Sequence, residues 1–379
     1  MIIRNVEEKD LRASAECAVQ SFGGEITADD MTMPPYEIFA AFEDDDKTLT
    51  SRIEINDFTC FYGKGKLRCA GVGGVATLPQ YRHKGTVRAL FNKLFESDYD
   101  ISILHPFSTS YYRKFGYETS ADFISLETGT DNLAFIPYAD RVKCVGESDI
   151  GELLEVYNRL ASRYNLAYER KDGRFFNLKP FDTPDYTYLS LDESGRPDGM
   201  VSFSVKRSEE TLEVSEIYFE DKKAMLNLLG YLRQYEGNLS LIRFTMLPLS
   251  SPITGYLVNE GKAKRQLQNT GAVRIINLKN VLGKAELPPG KGGFTFRVND
   301  TVKQNSGTFS LKYENGACTL TDFDGEPDFI TESNAMSKIF LCGISPDDAP
   351  YLNGLEIIHN NPDLYKAFPR KNTFFCGGF

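Results

Sequence analysis

LPQYRHKGTVRALFNKLF, residues 78–95, reads as a phosphate-binding turn that opens an amphipathic helix. Upstream, KLRCAGVGGVATL (66–78) is apolar and β-branched enough for a strand that runs straight into the turn. The basic trio Arg82, His83 and Lys84 is followed at once by Gly85, a residue that lets the backbone bend closely around an anion. The helix behind it supplies unsatisfied N–H groups and the positive end of its dipole. Val87, Leu90, Phe91 and Leu94 recur at helical spacing and make one apolar face. Strand, basic glycine turn and helix together predict a pyrophosphate cradle, with a solvated basic surface as the competing reading. No Gly-Lys-Ser/Thr follows, so this is not a Walker loop. It is not a Rossmann fingerprint either, because G-x-G-x-x-G is missing.

Two further stretches carry chemistry. In LHPFSTSYYRKFGYE (104–118) a strand through Ile101 and Ile103 ends at Pro106. Thr109 or Ser110 can cap a short helix, Gly116 ends it, and Tyr117 lies just beyond. A phenol of pKa about 10 can give a proton to a departing thiolate of similar basicity. With 20 tyrosines in the chain, a packing role is the alternative. The terminal FPRKNTFFCGGF is not the polar tail that chain ends usually carry. Phe374, Phe375 and Phe379 predict that it docks, and Gly377 and Gly378 let it thread a narrow space.

Arg82-x-x-Gly85 after Val75-Ala76-Thr77-Leu78-Pro79 resembles the acyl-CoA signature of the GNAT superfamily of N-acetyltransferases. The family pattern is Arg/Gln-x-x-Gly-x-Gly/Ala, and Val87 stands here in place of the small residue. The variant formed by Arg82, Gly85 and Arg88 is similar to the enhanced-intracellular-survival (Eis) branch, and that resemblance covers the whole chain. It implies an α/β fold: tandem GNAT-like domains with mixed sheets flanked by helices, plus a C-terminal sterol-carrier-protein-like α+β domain. It implies that Val75, Ala76 and Thr77 offer backbone groups to the pantetheine arm of acetyl-CoA. Arg82, His83, Lys84, Gly85 and Thr86 then take its pyrophosphate. Tyr117 becomes the general acid, and the α-carboxylate of Phe379 receives the proton of the amine. A carboxylate of pKa about 3.5 is some seven units below an alkylammonium, so it holds the cation and takes the proton only as the adduct forms. The resemblance also implies a homo-oligomer, a trimer or hexamer.

Composition agrees. The net charge is -10, which argues against a nucleic-acid partner and suits a cationic amine substrate. MIIRNVEEKD has no apolar signal region and no run is long enough to span a membrane, so a cytoplasmic protein without a membrane partner is expected. Seven cysteines without a C-x-x-C pair suggest reduced, mostly buried thiols. Three scattered histidines make a metal site unexpected. Direct transfer is simpler than covalent catalysis, because no Gly-x-Ser-x-Gly or Cys–His signature is present.

Three domains are expected. The first, residues 1–143, is the catalytic GNAT domain; its 23–50 segment, rich in acids that include Asp29, Asp30 and 43–46, lies on the substrate side. The second, 144–285, repeats hairpin, strand, helix and strand. Its turn holds Glu220, Asp221, Lys222 and Lys223, with no glycine and two acids that would repel phosphates, so it should lack a CoA site. The third, 286–379, starts in GKAELPPGKGG and forms a small antiparallel sheet with a Glu-Asn-Gly turn that delivers the tail. Two functions compete at this stage: an acetyl-CoA-dependent N-acetyltransferase acting on an aminoglycoside, polyamine or lysine side chain, and a lipid or acyl-CoA binding protein with a vestigial transferase site.

Overall fold

The computed structural model describes residues 1–139 and 141–375. The chain folds as two units. The first joins Met1–Ser120 to Gly271–Lys371, and the second takes Ala121–Thr270 and residues 372–375.

The first unit opens with β1 (Ile2–Asn5), α1 (Leu11–Phe22), β2 (Glu37–Phe42), β3 (Leu49–Tyr62) and β4 (Gly65–Thr77). They are followed by α2 (Thr86–Phe95), β5 (Ile101–Leu104) and α3 (Thr109–Arg113). β1 to β4 pair antiparallel in sequence order, and β4 then pairs parallel with β5. The parallel step is possible because α2 carries the chain back across the sheet. Residues Ala272–Ile275 close this part, antiparallel to β5. The β3–β4 hairpin turns on Gly63-Lys64 alone, between the paired Tyr62 and Gly65.

α2 presses Leu90, Phe91, Leu94 and Phe95 onto Ile53, Ile55, Ala70 and Val72. Each such side chain taken from water contributes roughly 1.5–3 kcal/mol, which fixes the helix to the sheet and its first turn in space. Leu11 and Cys17 of α1 fall in a second cluster with Ile38, Phe42 and Ala76. The segment EIFAAF, within the 23–50 segment expected on the substrate side, is β2. Its adjacent alanines break the period-two pattern that marks a strand, and pairing on both edges forms one anyway.

The second unit repeats the succession. Strands Asp185–Leu191, Pro197–Lys206 and Thr211–Phe219 pair antiparallel, helix Lys222–Arg233 follows, and Leu241–Pro248 pairs parallel with Thr211–Phe219. Leu228, Leu229 and Leu232 of that helix meet Val201, Phe203, Leu212 and Phe244 in one core.

Residues 291–357 add a five-stranded sheet to the first unit. The three strands expected from sequence are present, with Asn315-Gly316 at the hairpin turn. The sheet is mixed rather than antiparallel, since Phe329–Glu332 lies parallel to Lys291–Asn299. At four and three residues, Phe329–Glu332 and Leu355–Ile357 are too short to show a periodic signal.

In the second unit Arg170 is buried with Glu216, to which its Nη1 donates at 2.8 Å, and its guanidinium lies 4.0 Å from the Tyr157 ring centroid. Glu216→Ala should destabilise the fold by about 3–5 kcal/mol, because it leaves a guanidinium buried without its carboxylate. A urea midpoint unchanged from wild type would contradict this.

Candidate active site

β4 runs beside β5 only from Cys69↔Ile101 to Val72↔Leu104. β5 ends there, while β4 continues five residues further to Thr77. Over Gly73–Thr77 no described strand pairs with that edge of β4. On its other edge, β4 bulges. The register with β3 shifts between Arg52↔Ala76 and Glu54↔Gly73, so Gly74 and Val75 together face Ile53. Gly74 takes φ +52, and a Cβ there would sit 2.5 Å from Cδ of Glu54. A glycine is required both by the left-handed backbone and by the carboxylate against it. The gap exposes backbone N–H and C=O groups that a ligand can pair with, as a strand would.

Val75, Ala76 and Thr77 lie on this stretch. Val75 packs on the α2 core, and Ala76 is buried on the α1 side. At Arg82–Gly85 the chain wraps tightly, with φ +62 at His83 and +79 at Gly85, which is the N-cap of α2. None of the backbone N–H groups from His83 to Val87 donates to an acceptor among the described residues. Arg82, His83, Lys84 and Gly85 are exposed, whereas Thr86 is buried, its hydroxyl bonded to Ser51 Oγ at 2.6 Å. An unsatisfied helix N-terminus flanked by three cationic side chains (Arg82, Lys84 and Arg88) fits a pyrophosphate.

The corresponding turn of the second unit is closed. The Asp221 side chain caps the helix by accepting from Ala224 N at 3.0 Å, and Glu220 pairs with Arg159 and, at 3.0 Å, with Arg196. The chain's own carboxylates thus occupy one backbone donor of this helix start and two nearby guanidinium groups.

Tyr117 stands elsewhere than a proton donor should. Its ring is 1% exposed, and its hydroxyl is bonded to Ser102 Oγ at 2.7 Å. Burial pushes its phenol well above the ordinary range, and the Ser102 bond offsets only part of that. Sequence reading passed over Tyr112, one turn earlier on α3. It is 4% exposed, and its hydroxyl has no hydrogen-bond partner among the described residues and is not sealed from solvent. Burial raises its phenol too, with a smaller push from Tyr111. The helix is capped by Ser108, one residue before the expected position. The available signal was the pair Tyr111-Tyr112 on a capped helix directly after β5.

Phe379 lies outside the described residues. The tail before it docks on the second unit. Phe374 and Phe375 are buried, the Phe374 ring meets Tyr164 edge to face with centroids 5.5 Å apart, and Asn165 N donates to Asn372 O at 2.9 Å. The six described cysteines are all free, and four of them are buried. No group of metal-ligating side chains occurs among the described residues, and no described helix is long and apolar enough to cross a membrane.

A family model described as an acetyltransferase (GNAT) domain matches residues 2–120, and a second of the same description matches 162–275. The chain belongs to the GNAT superfamily of N-acetyltransferases, whose domains use acetyl-CoA and whose acceptors are amines. No curated protein matches it in sequence. Among solved structures it is similar to a probable N-acyltransferase of Enterococcus faecalis, with TM-score 0.86 and 18% identity over 100% of this chain and 99% of that one. It is also similar to a GCN5-related N-acetyltransferase of Anabaena variabilis (0.85, 17%) and to Eis1 of Mycobacterium abscessus (0.82, 16%), each over the full length of both chains. At such identities the likeness is one of fold, and it extends the Eis-like architecture over the whole chain.

The two glycines of the site should respond differently to alanine. Gly85→Ala meets open space and only the left-handed backbone penalty of about 1–2 kcal/mol. Gly74→Ala adds a collision with Glu54 and should cost more, lowering the thermal midpoint further. Equal midpoints would refute the collision.

Proposed function

We propose that the first unit binds acetyl-CoA along the open edge of β4 and transfers its acetyl group directly to a primary amine of a cationic acceptor. The observation that carries this is the coincidence, on one strand–turn–helix path, of an unpaired, bulged β4 and an unsatisfied helix N-terminus. Val75, Ala76 and Thr77 pair with the pantetheine arm, and a backbone N–H at the bulge holds the thioester oxygen. Arg82, His83, Lys84, Gly85 and Thr86 receive the pyrophosphate. The catalytic unit is then residues 1–143, the second GNAT-like domain (144–285) has no CoA site, and the third (286–379) has a sterol-carrier-like form. Reduced cysteines suit a cytoplasmic enzyme, and the Eis-like architecture suits a trimer or hexamer. The vestigial-site alternative is disfavoured because the turn at 82–86 keeps its glycine and an uncapped helix start, while that at 220–223 has no glycine and is capped by Asp221.

Tyr112 is the better proton donor of the two tyrosines. A donor must reach the departing sulfur and be re-protonated from water, which a hydroxyl sealed against Ser102 cannot do. Tyr117 then supports Tyr112, whose ring centroid is 6.2 Å away. The α-carboxylate of Phe379 remains our candidate to receive the amine proton, supported by the burial of Phe374 and Phe375 in the tail before it.

Thiol release from acetyl-CoA, followed against a panel of amines, tests the transfer. Tyr112→Phe should lower kcat about 10²–10⁴-fold with acetyl-CoA affinity retained. Loss in Tyr117→Phe with Tyr112→Phe fully active would return the role to Tyr117. Residues appended after Phe379 should depress turnover in a protein with an unaltered melting curve, and full activity of the extended enzyme would remove the terminal carboxylate from the mechanism.

A further inference from the structure

A cavity of about 410 Å³ opens on the side of β3 where α1 packs. It falls within the size range of small-molecule sites, roughly 300–1,000 Å³. Its apolar surface comes from Leu11, Ala15, Ala18, Met33 and Ile38. Its polar residues fall into two sets. Arg52 and Glu54 come from β3, and Asp29 and Asp30 from the short helical turn before β2.

The β3 set abuts the β4 bulge, because the Glu54 carboxylate fills the place where Gly74 would carry a Cβ. Arg52 pairs with Glu54 and donates through Nη1 to Ser14 Oγ at 2.9 Å. Arg52 is 5% exposed, and its Nε, enclosed from solvent, has no hydrogen-bond partner among the described residues. The pair as a whole is neutral. A nucleophilic amine needs this environment, since only its uncharged form attacks a carbonyl. Its N–H can donate to Glu54 while its lone pair stays exposed to a neighbouring donor or to the thioester.

The other set is different in charge. Asp29 and Asp30 are fully exposed carboxylates without a cation partner among the described residues, and Asp30 Oδ2 accepts from Thr27 N at 2.7 Å and Thr27 Oγ1 at 2.8 Å. That leaves two negative charges at one part of the cavity and a neutral pair at the other, with apolar side chains among the lining. Tyr36 also lines it. Burial first, and then the Glu54 charge, push its phenol up, with Asp30 adding to the push.

We propose that this cavity is the acceptor site and that it takes an aliphatic diamine or polyamine. The reacting, uncharged amine lies against Arg52 and Glu54 beneath the β4 bulge, and the distal ammonium lies on Asp29 and Asp30. The methylene chain lies on the apolar surface. A hydroxyl-rich aminosugar matches this lining poorly, because each hydroxyl set on Leu11, Ala15 or Met33 loses a hydrogen bond to water. The inference rests on the transferase reading.

The test compares 1,4-diaminobutane, butylamine and an aminoglycoside in the thiol-release assay with the intact chain. The diamine should be preferred over butylamine in kcat/KM by about tenfold or more, the scale of one charge-assisted contact. Asp29→Asn with Asp30→Asn should bring that ratio toward one. Glu54→Gln should raise the diamine KM about tenfold while the KM for acetyl-CoA stays within twofold, and Glu54→Asp should recover part of the loss. Melting curves guard against misfolding, and Glu54→Asp serves if Glu54→Gln does not fold. Equal use of diamine and butylamine, preference for the aminoglycoside, or an unchanged diamine KM in Glu54→Gln would overturn the assignment and leave the transferase standing. Absence of acceptor-dependent release from wild type with every amine would instead overturn the transferase reading.

Discussion

Everything in the catalytic unit follows from the point at which β4 leaves β5. A strand buried in a sheet must satisfy its N–H and C=O groups, and β4 does so on both sides only as far as Val72. Beyond it, one edge is unpaired, and the bulge at Gly74-Val75 turns the strand so that the gap stays open. Such an edge is costly in a closed protein and useful in one that binds an extended, amide-bearing chain. The pantetheine arm is such a chain, and on the reading proposed above the defect in the sheet would also be its binding surface. α2 then begins nine residues after the strand ends, at Thr86, with unsatisfied N–H groups at its start, and on the same reading these would receive the charged end of that ligand.

The second unit is the internal control for this argument. It has the same succession of strands and helix, and its helix also starts a few residues after the strand. There Asp221 caps the helix, and Glu220 is tied to Arg159 and Arg196. One acidic residue at an N-cap is worth about 1 kcal/mol to the helix and closes it to anions. The first unit forgoes that stabilisation by placing Gly85 at the N-cap, with no side chain to accept the first donors. Between two turns on the same framework, the difference in capping residue separates a helix start closed by its own side chain from one left open to an anion.

Much of this was legible in the sequence. The turn at 82–86, the α2 face, the three strands of the 185–219 meander and the acidic turn at 220–223 all stand where periodicity and composition put them. What the sequence concealed has a common physical cause. β2 is Ala-rich, and the strands at 329–332 and 355–357 are three or four residues long, so tertiary pairing rather than local preference makes them. The bulge was foreshadowed by Gly73-Gly74 inside a strand, a sign of close backbone approach. Tyr112 and Tyr117 could not be ranked from sequence, because what separates them is whether a hydroxyl meets Ser102 Oγ, a contact made across the fold from residue 102 to residue 117.

That separation says something about how a tyrosine is chosen for acid work. A phenol buried completely is held neutral by the cost of its anion, which makes it a reluctant donor as well as an inaccessible one. A phenol that is not fully enclosed can keep its ring in the aromatic cluster while its oxygen stays open to solvent. Tyr112 does this through Phe91, Phe107 and Tyr117, each with its ring centroid within about 6.2 Å. Because α3 is only five residues long, its own backbone supplies little rigidity. The precision of the hydroxyl's position therefore has to come from the aromatic cluster, and Tyr117, locked by Ser102 behind it, is the member best fixed to provide it.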